Sequence, residues 1–209
     1  MKRRFYWVIR DLHLYLGLFS SPFVLVFAVS VFFLVHAWLP QLGATAPTNR
    51  VVSVLPLPTG LQTLSGTNLI EALKPILLKA GVPGEIGYVR HQVKEDELLI
   101  PVAIPGRDTT VTLSLVRGEA SIVTREGGLA AALVALHKTP GPHRGEIQMN
   151  WIYMKAWRWL SDATAYLVLF VSLSGVYLWY VLRAERKAGF ILLGAGAVSF
   201  LGLAYALSH

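Results

Sequence analysis

The run from Leu12 to Leu39 is almost wholly apolar, is about as long as a tilted membrane-spanning helix, and carries a histidine near each end, His13 and His36. Two further apolar runs, over 163–182 and 189–209, lie at the other end of the chain. The polar, Gly/Pro-punctuated sequence falls between the first run and the second. This predicts one span, an aqueous domain, and then a helical hairpin. Composition agrees: 54% hydrophobic residues against 15% charged is too apolar for an ordinary soluble domain, and 209 residues leave room for one modest aqueous module.

Met1 to Arg10 is basic, and Ala44-Thr45-Ala46 resembles a small-residue cleavage site, so a signal peptide is the competing reading of the amino terminus. A signal core has about 7 to 15 apolar residues, and this stretch is much longer, so an uncleaved anchor is expected.

Charge sets the expected orientation. Residues 1–11 hold Lys2, Arg3, Arg4 and Arg10 against Asp11, and the loop 183–188 holds Arg183, Arg186 and Lys187 against Glu185. These segments sum to +3 and +2, five of the seven net positive charges. By the positive-inside rule both stay in the cytoplasm, and the middle segment is extracytoplasmic. Between Pro40 and Asp162 twelve basic residues face ten acidic ones, without the basic stripe that nucleic-acid binding requires.

The chain has no cysteine, which removes disulfides, thiolate-ligated zinc, iron–sulfur sites and thioether-linked haem; any metal depends on histidine and carboxylate. No phosphate-cradling glycine loop, Gly-x-Ser-x-Gly elbow or His-Glu-x-x-His pair occurs.

The aqueous segment reads as a small α+β module. Val51 to Leu57 is an apolar run closed by prolines. Thr67 to Ala80 is an amphipathic helix through Leu69, Ile70, Leu73, Leu77 and Leu78 despite Pro75, and it stops at Gly81. Strands are expected over Ile86–Val93, Leu98–Ile104, Thr109–Val116 and Ser121–Thr124, separated by turn formers and forming an antiparallel meander. Gly128 to His137 resumes helical spacing before Thr139-Pro140-Gly141-Pro142.

The order of helix, Ala80-Gly81-Val82-Pro83-Gly84, and strands divided by Pro105-Gly106 and Arg117-Gly118 resembles a PepSY domain. Leu12-His13-Leu14-Tyr15-Leu16-Gly17-Leu18, Leu136-His137 and Ser174-Gly175-Val176-Tyr177-Leu178-Trp179 resemble PepSY-associated transmembrane proteins, and the likeness covers nearly the whole chain. The expected architecture is therefore an integral membrane α-helical protein, with three transmembrane helices and an extracytoplasmic PepSY-like α+β domain inserted between helices 1 and 2. Its segments are a cytoplasmic amino terminus over 1–11, helix 1 over 12–39, the domain over 40–148, an interfacial aromatic segment over 149–162, helix 2 over 163–182, a cytoplasmic loop over 183–188, and helix 3 over 189–209.

The resemblance points two ways in function. Some larger members are implicated in iron uptake as inner-membrane ferrisiderophore reductases that bind haem through membrane histidines. Isolated PepSY modules are regarded as peptidase-regulating or ligand-binding units. This chain has only three spans and no recognisable nucleotide or flavin domain, so a complete reductase needs another donor or subunit. The expected role is haem-b-linked electron transfer or reduction, supporting periplasmic iron-siderophore or flavin redox chemistry from the inner membrane. The alternative is a non-enzymatic scaffold or sensor whose domain binds a peptide, peptidase or partner subunit. Expected partners are the lipid bilayer and either a membrane or periplasmic protein or a second copy of the chain, and no nucleic acid.

Imidazole is the only strong haem ligand this chain could place at a membrane. His13 and His36 stand 23 residues apart, which on one helix is about 35 Å and a difference in direction of about 140°, so they cannot share an iron. His36 with His137, or with His143 as the less favoured partner, is the expected axial pair for an outer haem b. His13, alone at the cytoplasmic edge, needs a partner subunit or symmetry mate.

Blander readings stand beside these. His13 and His36 are equally read as interfacial residues, His137 and His143 as solvated loop residues, His91 as a strand-face residue, and His209 as a frayed terminus. Zinc on His137, His143 and Glu146 is disfavoured by the flexible stretch that holds them. Trp151, Tyr153, Trp157 and Trp159 read as an interfacial belt. Gly17 with Ser21, and Ala195 with Ser199, suggest close helix contacts in a compact bundle. The spans hold no charged residue in their interiors, which argues against a transporter or channel.

Overall fold

The computed structural model describes residues 2–36, 38, 44–53, 57, 58, 60–138, 149–182 and 185–208. The chain divides into two compact units, one of Met1–Pro22 with Thr164–His209 and one of Phe23–Ala163. Three helices are long and apolar enough to cross a membrane: α1 (Lys2–Val35), α4 (Ile152–Leu182) and α5 (Arg186–Ser208).

Between α1 and α4 lies a six-stranded sheet with two helices, α2 (Gly66–Lys79) and α3 (Gly128–Lys138). The strands are β1 (Thr48–Ser53), β2 (Glu85–Ile86), β3 (Arg90–Gln92), β4 (Glu97–Ile104), β5 (Arg107–Ser114) and β6 (Glu119–Glu126). Their order is β1-β6-β5-β4-β2, with β3 also on β4, and every pairing is antiparallel. The expected meander is β4-β5-β6. Alternation along β4 and β5 turns Leu98, Ile100, Val102, Val111 and Leu113 to one face, where they pack with Ile70, Leu73, Ile76 and Leu77 of α2. That face is the core of the domain.

Helix α2 carries Pro75 on its exposed side, away from the buried stripe. It ends in a Schellman turn: Gly81, at φ +70°, donates to Leu78 O, and Val82 donates to Leu77 O at 2.8 Å.

Two expectations change, for Ile86–Val93 and for the third helix, and the segment over 149–162 acquires a secondary structure. The strand read over Ile86–Val93 is two short strands. Gly87 N donates to Pro101 O at 2.8 Å, but proline has no N–H to return, so the ladder opens at 87–89 before β3 resumes it. The segment read as an interfacial belt over 149–162 is helical from Ile152, continuous with the second span. The third helix does not close a compact bundle, for every residue from Phe190 to Ser208 is exposed and Gly194, Gly196 and Gly202 have no neighbour against them. Gly17 does meet a neighbour, Val171 of α4, at 4.0 Å from a Cβ placed there.

Candidate functional site

Two histidines are each held by a serine on another helix. In the first unit, His13 Nδ1 of α1 lies 2.8 Å from Ser174 Oγ of α4, with its ring against Gly175, where a Cβ would stand 3.3 Å from His13 Cε1. In the second unit, His137 Nδ1 of α3 lies 2.8 Å from Ser30 Oγ of α1. Both serines are buried, Ser30 to 2% and Ser174 to 5% exposure.

Each serine also reaches a carbonyl of its own helix, Ser30 Oγ to Phe27 O at 2.6 Å and Ser174 Oγ to Val171 O at 3.1 Å. A hydroxyl has one proton, so a serine that gives it to its own helix accepts from its histidine, and one that gives it to the histidine leaves that carbonyl unpaired. In the first arrangement the histidine carries its proton on Nδ1 and leaves the Nε2 lone pair bare. This is the arrangement in which a metal-ligating imidazole is oriented by a hydrogen bond at its other nitrogen.

Around His137 the packing is aromatic. Phe27 meets its ring edge-on at 6.0 Å, Trp157 packs on Phe27 at 5.8 Å, and Trp157 Nε1 donates to Leu136 O at 3.0 Å, tying α4 to the last turn of α3. Trp157 is thus a packing and capping residue in the second unit, beyond the interfacial role read for it.

His36 is placed differently. Its Nδ1 donates to Phe32 O at 2.9 Å, which leaves its Nε2 free as well, but the anchor is its own helix and its ring lies over Phe32 at 4.5 Å. Ser30, which holds His137, precedes His36 by six residues, about 9 Å along a helix and about 120° around it. The contacts of the described residues do not bring His36 and His137 together. His143, Glu146 and His209 lie outside the described residues. His91 sits on β3 beside the exposed Asp96 carboxylate at 3.4 Å. Among the described residues no group of three histidines and carboxylates is placed to hold a metal ion.

A second polar assembly joins the sheet edge to α4. The buried Glu85 carboxylate of β2 accepts from the backbone N–H groups of Met149, Asn150 (3.0 Å) and Trp151 (2.9 Å), just ahead of α4. Asn150 answers by accepting from Ile86 N at 3.0 Å and donating to Ile86 O at 2.7 Å. A carboxylate at a helix start satisfies orphan N–H groups and meets the positive end of the helix dipole. Ser30, Glu85 and Asn150 carried no local signal in the sequence, and Ser174 entered only within the Ser174–Trp179 motif of the resemblance, with no role read for it.

Fold and site together define a three-helix membrane protein with an α+β domain inserted after its first helix and paired histidine–serine contacts between helices. The family model described as "Putative PepSY_TM-like" matches residues 7–209, and the chain belongs to that PepSY-TM-like family. No curated protein and no solved structure matches the chain.

Proposed function

We propose that the chain lies in the inner membrane, amino terminus in the cytoplasm and α+β domain in the periplasm, and carries haem b as an electron-transfer or reductase component. The redox partners this reading names are periplasmic iron-siderophore or flavin. One observation carries it: buried serines, each also within reach of a carbonyl of its own helix, hold His13 and His137 at Nδ1, an anchorage that suits Nε2 to a metal. The donor set fits one axial imidazole at each place, and haem bound there would supply one-electron transfer. His137 is favoured over His36, whose ring is folded back on Phe32. A second axial ligand for either iron would come from His143 or from a second copy of the chain.

The test is a reduced-minus-oxidised visible spectrum of the detergent-purified protein with pyridine haemochrome quantitation, on the wild type and on His13→Ala, His137→Ala and His36→Ala. The expected result is b-type bands that diminish in the first two variants and persist in the third. Protein made with ample haem that carries none, or haem fully retained in both His13→Ala and His137→Ala, overturns the reading.

A second reading, the non-enzymatic scaffold or sensor, is favoured by the Glu85 clasp. A groove of about 700 Å³ runs beside it, lined by Tyr88, Arg90, Pro101, Ala103 and by Met154 in the first turn of α4. A peptide or partner segment seated there would touch both the sheet edge and α4. A haem-free protein would bring this reading forward.

A further inference from the structure

The α+β domain holds a second cavity, of about 340 Å³, with no histidine and no carboxylate in its lining. It lies between the C-terminal turn of α2 and the ends of β1, β5 and β6. Arg50, Arg107, Thr48, Thr109 and Thr124 supply its polar wall.

Each arginine has donors to spare. Arg50 Nη2 donates to Ala80 O at 2.7 Å and Gly81 O at 3.4 Å, which satisfies carbonyls at the end of α2, while Nε and Nη1 make no hydrogen bond among the described residues. The guanidinium lies against the bare Cα of Gly81, where a Cβ would stand 3.4 Å from Nη2. The Arg107 side chain has no hydrogen-bond or ion-pair partner among the described residues, although the residue is half-buried and Glu126 is its cross-strand neighbour. Thr109 is buried, and its Oγ1 lies 3.3 Å from Thr124 Oγ1. Thr48 Oγ1 gives its proton to Thr124 O at 3.4 Å, and the Thr109–Thr124 contact takes one more, which leaves that pair one hydroxyl proton to offer. Two guanidinium groups and that hydroxyl, with no carboxylate in the lining itself, make a concave, positive wall. Guanidinium forks match the oxygen pairs of carboxylates and phosphates.

We propose that this cavity binds a small soluble oxyanion-bearing ligand, its phosphate or carboxylate oxygens held by Arg107 and the free donors of Arg50, with the one spare hydroxyl proton of the Thr109–Thr124 pair completing the shell. The volume is at the small end of ligand sites, suited to a compact anion or to the anionic end of a larger molecule. The site is separate from the histidine–serine pairs, and its test does not depend on haem.

The experiment is isothermal titration of the full-length protein in non-ionic detergent with inorganic phosphate and with citrate, ionic strength held constant with sodium chloride. Wild type, Arg107→Gln and Thr124→Val are compared, with thermal unfolding in chloride alone as a check on the fold. The expected result is saturable binding of at least one anion, weakened about tenfold by Arg107→Gln, the loss of one charge-assisted contact. Thr124→Val should weaken it less. Arg107→Gln should unfold at the wild-type temperature in chloride, because Arg50 still covers the end of α2. Absence of saturable binding of either anion to the wild type, or equal binding by Arg107→Gln, overturns the proposal.

Discussion

A serine hydroxyl that gives its proton to its own helix is an acceptor for a histidine on another helix, and Ser30 and Ser174 each have such a carbonyl in reach. The nitrogen-15 spectrum of labelled histidine should therefore show His13 and His137 as Nδ1–H tautomers, and dominant Nε2–H signals from either would refute the assignment. Replacing Ser30 or Ser174 with alanine removes the partner of a half-buried imidazole nitrogen, so each change should lower stability by about 1 kcal/mol in thermal or denaturant unfolding. The two pairs share no residue, so the double variant should lose close to the sum of the two. A loss much larger than the sum would mean the pairs act as one network. None of this was legible beforehand: the partners are 161 and 107 residues apart in sequence. The histidines announced themselves by residue type and place; Ser174 stood in a motif of the resemblance without showing its partner, and Ser30 looked like an ordinary small residue of an apolar helix.

Elements were legible where their pattern is local. Helix α2 follows from its apolar spacing and its glycine stop, and the meander follows from alternation and turn formers. The break between β2 and β3 was hidden because its cause, the missing N–H of Pro101, lies on the strand across from it. The early start of α4 was hidden for the same kind of reason, since Glu85 is more than sixty residues away from the backbone it holds. That carboxylate is the hinge between a two-residue strand and a thirty-one-residue helix. Glu85→Ala should strip three backbone donors of their acceptor and destabilise the domain by about 3 kcal/mol. Glu85→Gln, which keeps one acceptor oxygen and loses the charge at the helix start, should fall between. Hydrogen exchange would localise the effect: amides from Met149 to Met154 should lose protection first, and unchanged protection there in Glu85→Ala would remove the clasp as the reason α4 begins where it does.

At the scale of the whole molecule the decisive fact is how much apolar surface the fold leaves uncovered. Leu192, Phe200, Leu203 and Leu207 on α5, like Leu18 and Phe19 on α1, are more than half exposed, a surface that a water-soluble chain of this size could not carry. Lipid is the cover that three such helices and the family membership support. The proposed direction of insertion rests on charge alone, with +3 before the first span and +2 between the last two. Absence of cysteine makes that direction directly measurable, because a single introduced thiol has no background. Val116, 77% exposed in the β5–β6 turn, reports on the α+β domain, and Lys187, exposed at the start of α5, reports on the loop between spans. In intact spheroplasts a membrane-impermeant maleimide should label Val116→Cys and spare Lys187→Cys, and lysis should expose both. The reverse pattern would place the histidine-bearing end of α3 on the cytoplasmic side, where an extracytoplasmic redox partner could not reach it. The proposed function would then fail together with the orientation, whatever the spectrum showed.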